Sequence, residues 1–469
     1  MSERKNLSGG GIVRSFRPYH LWTIGCAMNE ADSRRLSEGL REAGWLPCPD
    51  PRKAELLILN TCVVRQQAED RARRRLGYCF ELKKYHPEVR IALMGCMVGS
   101  REGPAARARD AWPEVDFFVP PSDPEPLLRV LRAERKAQAL SELETLQQEA
   151  RVLDAYAAPS HHARSTASSA PAAPSPVCAQ VPVVLGCSHA CTYCIIPYRR
   201  GRERSRPEAD VLEEAARLSR AGARELVLLG QIVDRYGHDL PGHPTLDSLI
   251  REIARLPDVW RIRFLTSHPN YLTDAMIDAV ARTPKACPHF ELPVQAGDDE
   301  ILERMRRGYT VDDFRVLVAR IRSRIPTAAI QTDMITGFPG ETTEQFERSL
   351  ALLEELRLDK VHLAKYSPRP DTYAARRFTD DVPPEEKERR LRRLDDAQRT
   401  IQTEKNARIE GGIVEVLVEG YDEKRGRWSG RDRHDRWVFF PDPRNRHASL
   451  AAVRITRPAP FAMVGEPAD

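Results

Sequence analysis

The sequence predicts an α/β protein in three parts: a small N-terminal α/β domain, a central parallel barrel of about six βα units, and a C-terminal antiparallel β-barrel. Three observations predict it. Short apolar runs alternate with helical stretches from about Arg17 to Lys136, and again from Gln180 to about Arg369. Between these regions lies AYAAPSHHARSTASSAPAAPSPV, an Ala/Ser/Pro-rich run that cannot bury a core and reads as a flexible linker. After a charged helix, the tail keeps strand propensity and turn punctuation but loses the helical period. The expected boundaries are residues 17–138, a linker over 139–178, a core over 179–408 and a tail domain over 409–469.

In the first domain YHLWTIGC, AELLILNTC and VRIALMGC read as buried parallel strands, too short and too rich in β-formers for helices. NEADSRRLSEGLREAG and QQAEDRARRRLGYCFELKKY between them carry helical periodicity. The core offers VPVVLGC, ELVLLGQ, RIRFLTSHP, HFELPVQ, AIQTDMITGFP and KVHLAKYSP as strands, each followed by enough chain for a helix. Right-handed crossovers turn such a series into a parallel sheet curling toward a barrel. These strands end in Cys187, Gln231, Ser267 with His268, Gln295, Asp333, and Tyr366 with Ser367. The C-terminal ends of parallel strands share one face, so that face is the expected active one. The tail segments GIVEVLVEGY, RWSGRDRHDRWVFF and AAVRITRPAPFAMVG read as strands of a small barrel.

A net charge of +5 on 73 basic and 68 acidic side chains permits an RNA partner without requiring one. No apolar run approaches the ~20 residues that span a bilayer, and the N-terminus lacks the apolar segment of a secretory signal. A cytoplasmic protein is expected, with its ten cysteines reduced or bound to metal. His161 and His162 fall in the linker and read as solvated.

Cys187, Cys191 and Cys194 stand in the spacing C-x3-C-x2-C on a loop after the first core strand. Three thiolates do not close a structural zinc site, which takes four ligands. On a four-iron cluster they leave one iron open to a small ligand. His189, Thr192 and a run of arginines from Arg199 to Arg206 surround them, a poor setting for thiols acting as small hydrophobes. Cys26, Cys62 and Cys96 each end one predicted strand of the first domain, and parallel strands would bring them to one edge as a second three-cysteine set. Cys48, Cys79, Cys178 and Cys287 lack such placement and read as bystanders.

The cysteine motif, with Tyr193 before its last member, resembles the signature of the radical S-adenosylmethionine (SAM) superfamily. With TIGCAMNEADS, NTCVVRQQAEDR and GCMVGS, then SHPNYLTDAMIDA, LPVQAGDDEILERMRRGYT, TDMITGFPGET and YSPRPDTYAA, the chain resembles the radical SAM methylthiotransferase family over nearly its whole length outside the linker. SGRDRHDRWVFF and VRITRPAPFAMVGE resemble the RNA-binding TRAM domain. The resemblance implies a radical SAM partial (βα)6 barrel between an N-terminal methylthiotransferase domain and a TRAM barrel. It also implies two [4Fe-4S] clusters, with SAM bound to the open iron of the barrel cluster and cleaved to a 5′-deoxyadenosyl radical.

The implied reaction is methylthiolation at C2 of N6-(dimethylallyl)adenosine at position 37 of tRNA, beside the anticodon. The sister activities are the same reaction on threonylcarbamoyladenosine and on a ribosomal-protein aspartate. The implied partners are tRNA and a flavodoxin-type electron donor, with the enzyme a monomer and no membrane involved. Tyr193 is expected near the adenine of SAM, and Gln231, Ser267, Gln295 and Asp333 at SAM or substrate. In the tail, Arg431, Arg433 and Arg436, interleaved with Trp428 and Trp437, are expected to meet RNA phosphates and bases. Ala27, Ala296, Ile232 and Asp234 depart from the family pattern, the last two near the substrate face.

Overall fold

The computed structural model describes residues 16–99, 105–154 and 176–468. The chain folds as two compact units separated by the linker. The first unit holds a five-stranded parallel sheet of β1 (Arg17–Thr23), β2 (Trp45–Pro47), β3 (Leu56–Thr61), β4 (Arg90–Gly95) and β5 (Phe117–Val119). Its order is β2-β1-β3-β4-β5, so the three predicted strands are the adjacent central ones. β3 is buried along its whole length, as its run of Leu and Ile requires. Helix α1 (Ala27–Glu42) follows β1 and α2 (Gln66–Tyr85) follows β3, the second matching its expected span. The short outer strands β2 and β5 were not legible because three residues carry no period.

The expected linker start is corrected. The helix Glu125–Asp154 runs past residue 139 through QALSELETLQQEARVLD, a stretch of strong helix formers. Most of the Ala/Ser/Pro-rich run, with His161 and His162, lies outside the described residues.

In the second unit the six barrel strands are β6 (Cys178–Pro182), which ends at Pro182 and not at Cys187 as expected, β9 (Glu225–Leu229), β10 (Arg261–Leu265), β11 (His289–Glu291), β12 (Ala329–Thr336) and β13 (Lys360–Lys365). A two-stranded hairpin of β7 (Val184–Leu185) and β8 (Arg204–Ser205) brackets the cysteine loop. Parallel pairs give the orders β10-β9-β6 and β11-β12-β13, and a parallel bridge from Ile262 to Ala286 joins the two sets into one arc. Its helices pack outside on one continuous apolar core running from Ala179 to Ile401.

The tail closes into a barrel of β14 (Ile413–Asp422), β15 (Arg427–Arg431), β16 (Trp437–Phe440), β17 (Leu450–Arg457) and β18 (Met463–Pro467), ordered β14-β15-β16-β18-β17. It is not wholly antiparallel as expected, because β16 and β18 pair in parallel. Parity explains this: a closed ring of five strands cannot alternate direction all the way round, so one pair must run the same way.

The loop from β15 to β16 seats this barrel on the N-terminal ends of the core strands. Arg261 donates to the Arg431 carbonyl at 2.6 Å and to Glu415 at 2.9 Å. Arg263, 1% exposed, pairs with the equally buried Glu225 at 3.0 Å and donates to the Asp432 and Arg433 carbonyls. Burial would raise the Glu225 carboxyl, but Arg263 and Arg431 hold it below the usual range. Removing one partner from such a set strands a buried charge. Glu225→Gln should therefore cost about 3–5 kcal/mol, read as a lower urea midpoint for the second unit. A midpoint equal to the parent's would mean that the network contributes nothing.

Candidate cluster sites and RNA face

In the first unit Cys26 opens α1, Cys62 follows β3 directly and Cys96 follows β4 directly. Because β1, β3 and β4 are parallel neighbours, the three thiols leave the same sheet edge. A buried amide network ties their loops together. The Asn29 amide donates to the Asn60 Oδ1 and the Thr61 carbonyl, both at 2.9 Å, and Asn60 donates back to the Asn29 carbonyl and Ser33. Thr61 Oγ1 donates to the Met94 carbonyl at 2.6 Å and accepts from the Met97 amide. Gly95 lets the loops close: its φ is +94°, and a Cβ there would stand 2.5 Å from the Thr61 carbonyl oxygen.

In the second unit Cys187 and Cys191–Cys194 lie on the loop between β7 and β8. Gly186, at φ +69°, turns the chain into it against the carbonyls of Gly201 and Arg202. The loop is clipped to the segment after the helix Asp299–Arg304: the Thr192 amide donates to the Met305 carbonyl and its hydroxyl to the Arg304 carbonyl. Burial pushes the Cys187 thiol up to about 11 and, with the nearby Cys191, the Cys194 thiol up to about 12. Ionised thiols here need a cation.

Among the described residues, no three His, Cys, Asp or Glu side chains are gathered around a point that could hold one metal ion. A cluster does not ask for that. Thiolates at 2.3 Å from a single ion sit ~3.8 Å apart, whereas thiolates that each bind a separate iron stand farther apart. The residues fit such a group on two further grounds. Arg307 Nη1 and His189 Nδ1 each lie 3.2 Å from the Cys191 sulfur. Ser267 Oγ and His268 Nε2 are buried just past β10 without a hydrogen-bond partner among the described residues, acceptor and donor capacity that a polar cofactor can use. His268 packs on His189 at 4.5 Å between ring centroids, and its backbone amide donates to Asp234. Burial drives the His268 imidazole down to about 2, so it is neutral, and lifts Asp234 to about 7.

Of the other expected contacts, Tyr193 is partly buried and packs against the barrel core, and Gln231 follows β9. Gln295 follows β11 and holds φ at +77°, a left-handed value costly for a residue with a Cβ. Its amide donates to the Asp333 carbonyl. Asp333 lies deeper than expected: β12 continues three residues beyond it through Met-Ile-Thr, good strand formers, so it belongs to the barrel wall. Burial raises it to about 6, and burial with Asp333 nearby raises Glu291 to about 8. Sequence reasoning missed Arg307, which reaches Cys191 from 116 residues away with no local spacing to announce it.

The expected RNA arginines are corrected. Arg431 donates to Glu419 and Asp435 at 2.7 Å and to the Cys178 sulfur at 3.0 Å. Arg433 donates to the Pro284 and Ala286 carbonyls, and Arg436 to Asp432 at 2.7 Å. All three are engaged within the chain, as is Trp428, whose indole donates to the Asp442 carbonyl. A different face of the tail barrel is cationic and open. Arg425, Arg427 and Arg457 line a groove of about 430 Å³ with Phe439, Phe461 and Val464. Arg427 and Arg457 have no carboxylate partner among the described residues, and Phe461 is 60% exposed.

The Radical SAM superfamily domain is matched over residues 181–353 and the family described as UPF0004 over residues 18–119. The tRNA-2-methylthio-N(6)-dimethylallyladenosine synthase of Chloroflexus aurantiacus is 44% identical over 96% of this chain and 91% of its own. That of Roseiflexus sp. strain RS-1 is 43% identical over 96% and 89%. In fold, the chain is similar to the radical SAM methyltransferase TsrM from Kitasatospora setae, at a TM-score of 0.51 and 14% identity over 77% of each chain. This chain is a radical SAM enzyme, with SAM and [4Fe-4S] chemistry as its cofactors, and it belongs to the tRNA-2-methylthio-N(6)-dimethylallyladenosine synthase family.

Proposed function

We propose that this protein inserts a methylthio group at C2 of N6-(dimethylallyl)adenosine 37 in tRNA, with the barrel cysteines and the N-terminal cysteines each holding one [4Fe-4S] cluster. The observation that carries the reading is the presence of two three-cysteine sets, one at the ends of parallel strands and one on the β7–β8 loop, in a chain 44% identical to a member of that family over 96% of its length. When bound, the cofactors supply reductive cleavage of SAM at the barrel and sulfur chemistry at the N-terminal unit.

The protein's own residues do the rest. Cys187, Cys191 and Cys194 would hold the barrel cluster, three thiolates that would leave room there for SAM. Ser267 Oγ and His268 Nε2, buried and without a hydrogen-bond partner among the described residues, are placed to fix a polar ligand there, and Gln231 and Gln295 frame the same strand ends. Tyr193 offers an aromatic surface beside the last ligand. The reacting base leaves its stack to be reached, as base-modifying enzymes require. A flavodoxin-type protein supplies the electron.

The tail grips tRNA through the groove of Arg425, Arg427 and Arg457, whose charge suits phosphate and whose Phe439 and Phe461 suit bases.

Nucleoside mass spectrometry of tRNA from a strain lacking the gene should show loss of the methylthio group with the dimethylallyl adenosine accumulating. Retention of the modification would refute the assignment. Replacing Cys26, Cys62 and Cys96 together by Ala should end methylthiolation while reductive SAM cleavage continues. Loss of 5′-deoxyadenosine formation in a folded variant would show that the two sites do not divide the work. Arg427→Ala with Arg457→Ala should weaken tRNA binding and reduce the slope of log affinity against log salt by roughly two. An unchanged slope would move the RNA elsewhere.

A further inference from the structure

We propose that Arg307 is a positioning residue that sets the reduction potential of the barrel cluster, by presenting a buried, permanently charged donor to the sulfur of Cys191. The proposal rests on the reading that Cys187, Cys191 and Cys194 hold that cluster.

Arg307 is 5% exposed, and every nitrogen of its guanidinium has a partner. Nη1 points at the Cys191 sulfur from 3.2 Å, Nη2 donates to the Pro293 carbonyl at 2.9 Å, and Nε donates to the Tyr309 hydroxyl at 3.0 Å. Tyr309 in turn donates to the Val294 carbonyl at 2.8 Å. The planar fork is therefore clamped on two sides, and its third side is aimed at a ligand sulfur. No carboxylate pairs with Arg307 among the described residues, unlike Arg261, Arg263 and Arg431 at the tail seat, each of which has an acidic partner. A buried guanidinium without a counter-ion is costly. Its contacts leave one place for the compensating negative charge, the Cys191 thiolate and whatever that thiolate binds.

This has a direction. Reduction adds one electron, and no proton, to a group that a nearby fixed cation already attracts. Hydrogen bonds to cluster sulfurs and local charge are the levers by which a protein moves a cluster's potential. His189 Nδ1 is the other group on that sulfur, also at 3.2 Å, and Arg307 is the one that brings a permanent charge. It follows that Arg307 favours the reduced cluster, the state from which SAM is cleaved.

The test uses the full-length chain with Cys26, Cys62 and Cys96 replaced by Ala, so that one cluster remains, reconstituted without oxygen. Its midpoint potential is followed by electron paramagnetic resonance in the parent, in Arg307→Lys and in Arg307→Gln. The glutamine variant should shift the one-electron equilibrium about tenfold toward the oxidised cluster, a fall of 59 mV, at unchanged iron content. The lysine variant, which keeps the charge but not the fork, should fall between it and the parent. A glutamine variant with four irons and the parent's potential would overturn the proposal. Should that variant fail to hold iron, the parent grown on ¹⁵N-arginine decides. Its reduced cluster should show ¹⁵N modulation in the electron spin echo, and a spectrum without it overturns the proposal equally. A parent that binds no iron at all would overturn the cluster reading and this inference with it.

Discussion

Parallel strands all leave their sheet at the same edge, and most of what this protein can do depends on that constraint. In the first unit it gathers Cys26, Cys62 and Cys96, separated by dozens of residues, at the ends of three neighbouring strands. In the second it lines up Gln231, Ser267, His268 and Gln295 around the loop that carries the cysteine motif. A thiol set for a cluster must be spaced yet immobile, and sheet hydrogen bonding supplies that at little cost in loop entropy. The Asn29–Asn60–Thr61 network then fixes the loops themselves, because buried amides that satisfy one another have few alternative arrangements.

How legible this was depends on the range of the interaction. The cysteines could be read because their placement is local: a fixed spacing on one loop, or the repeated ending of a strand in Gly-Cys or Thr-Cys. The barrel strands were readable for the same reason, from runs a few residues long followed by a helix. Arg307 was not, since its relation to Cys191 exists only after β11, β12 and their helices have closed the arc. The tail arginines misled in the opposite sense. Arg431 sits among other cations in sequence and suggested a phosphate site, yet its partners Cys178 and Glu225 lie more than two hundred residues upstream. Charge clustering in a sequence says nothing of which carboxylates the fold will bring to it. Asp333 was misplaced by a subtler margin, because a strand's last residues look like the ones before them.

The two sets of arginines on the tail barrel illustrate how burial divides labour. Arg431 and Arg433, together with the core's Arg261 and Arg263, are desolvated and matched to carboxylates or carbonyls, so their charge is spent internally. The half-buried Arg427 and the exposed Arg457 keep charges unmatched by a carboxylate among the described residues beside Phe439 and the exposed Phe461, where attraction to a polyanion would be screened by salt. The same residue type thus serves as mortar on one face and is left free to attract an anion on another, and the surrounding carboxylates and carbonyls distinguish them.

The seat of the tail barrel has a consequence for how a nucleotide is chosen. A barrel hung on a loose tether would let bound RNA wander, and selection would then rest on reading bases. Here several buried ion pairs and carbonyl bonds, spread over the bottoms of β6, β9 and β10, remove that freedom. Whatever is held on the outer groove stands at a set span from the cysteine loop at the opposite end of the same strands. On the proposed tRNA reading, that fixed span would act as a caliper, with the nucleotide presented for chemistry picked by length along the RNA.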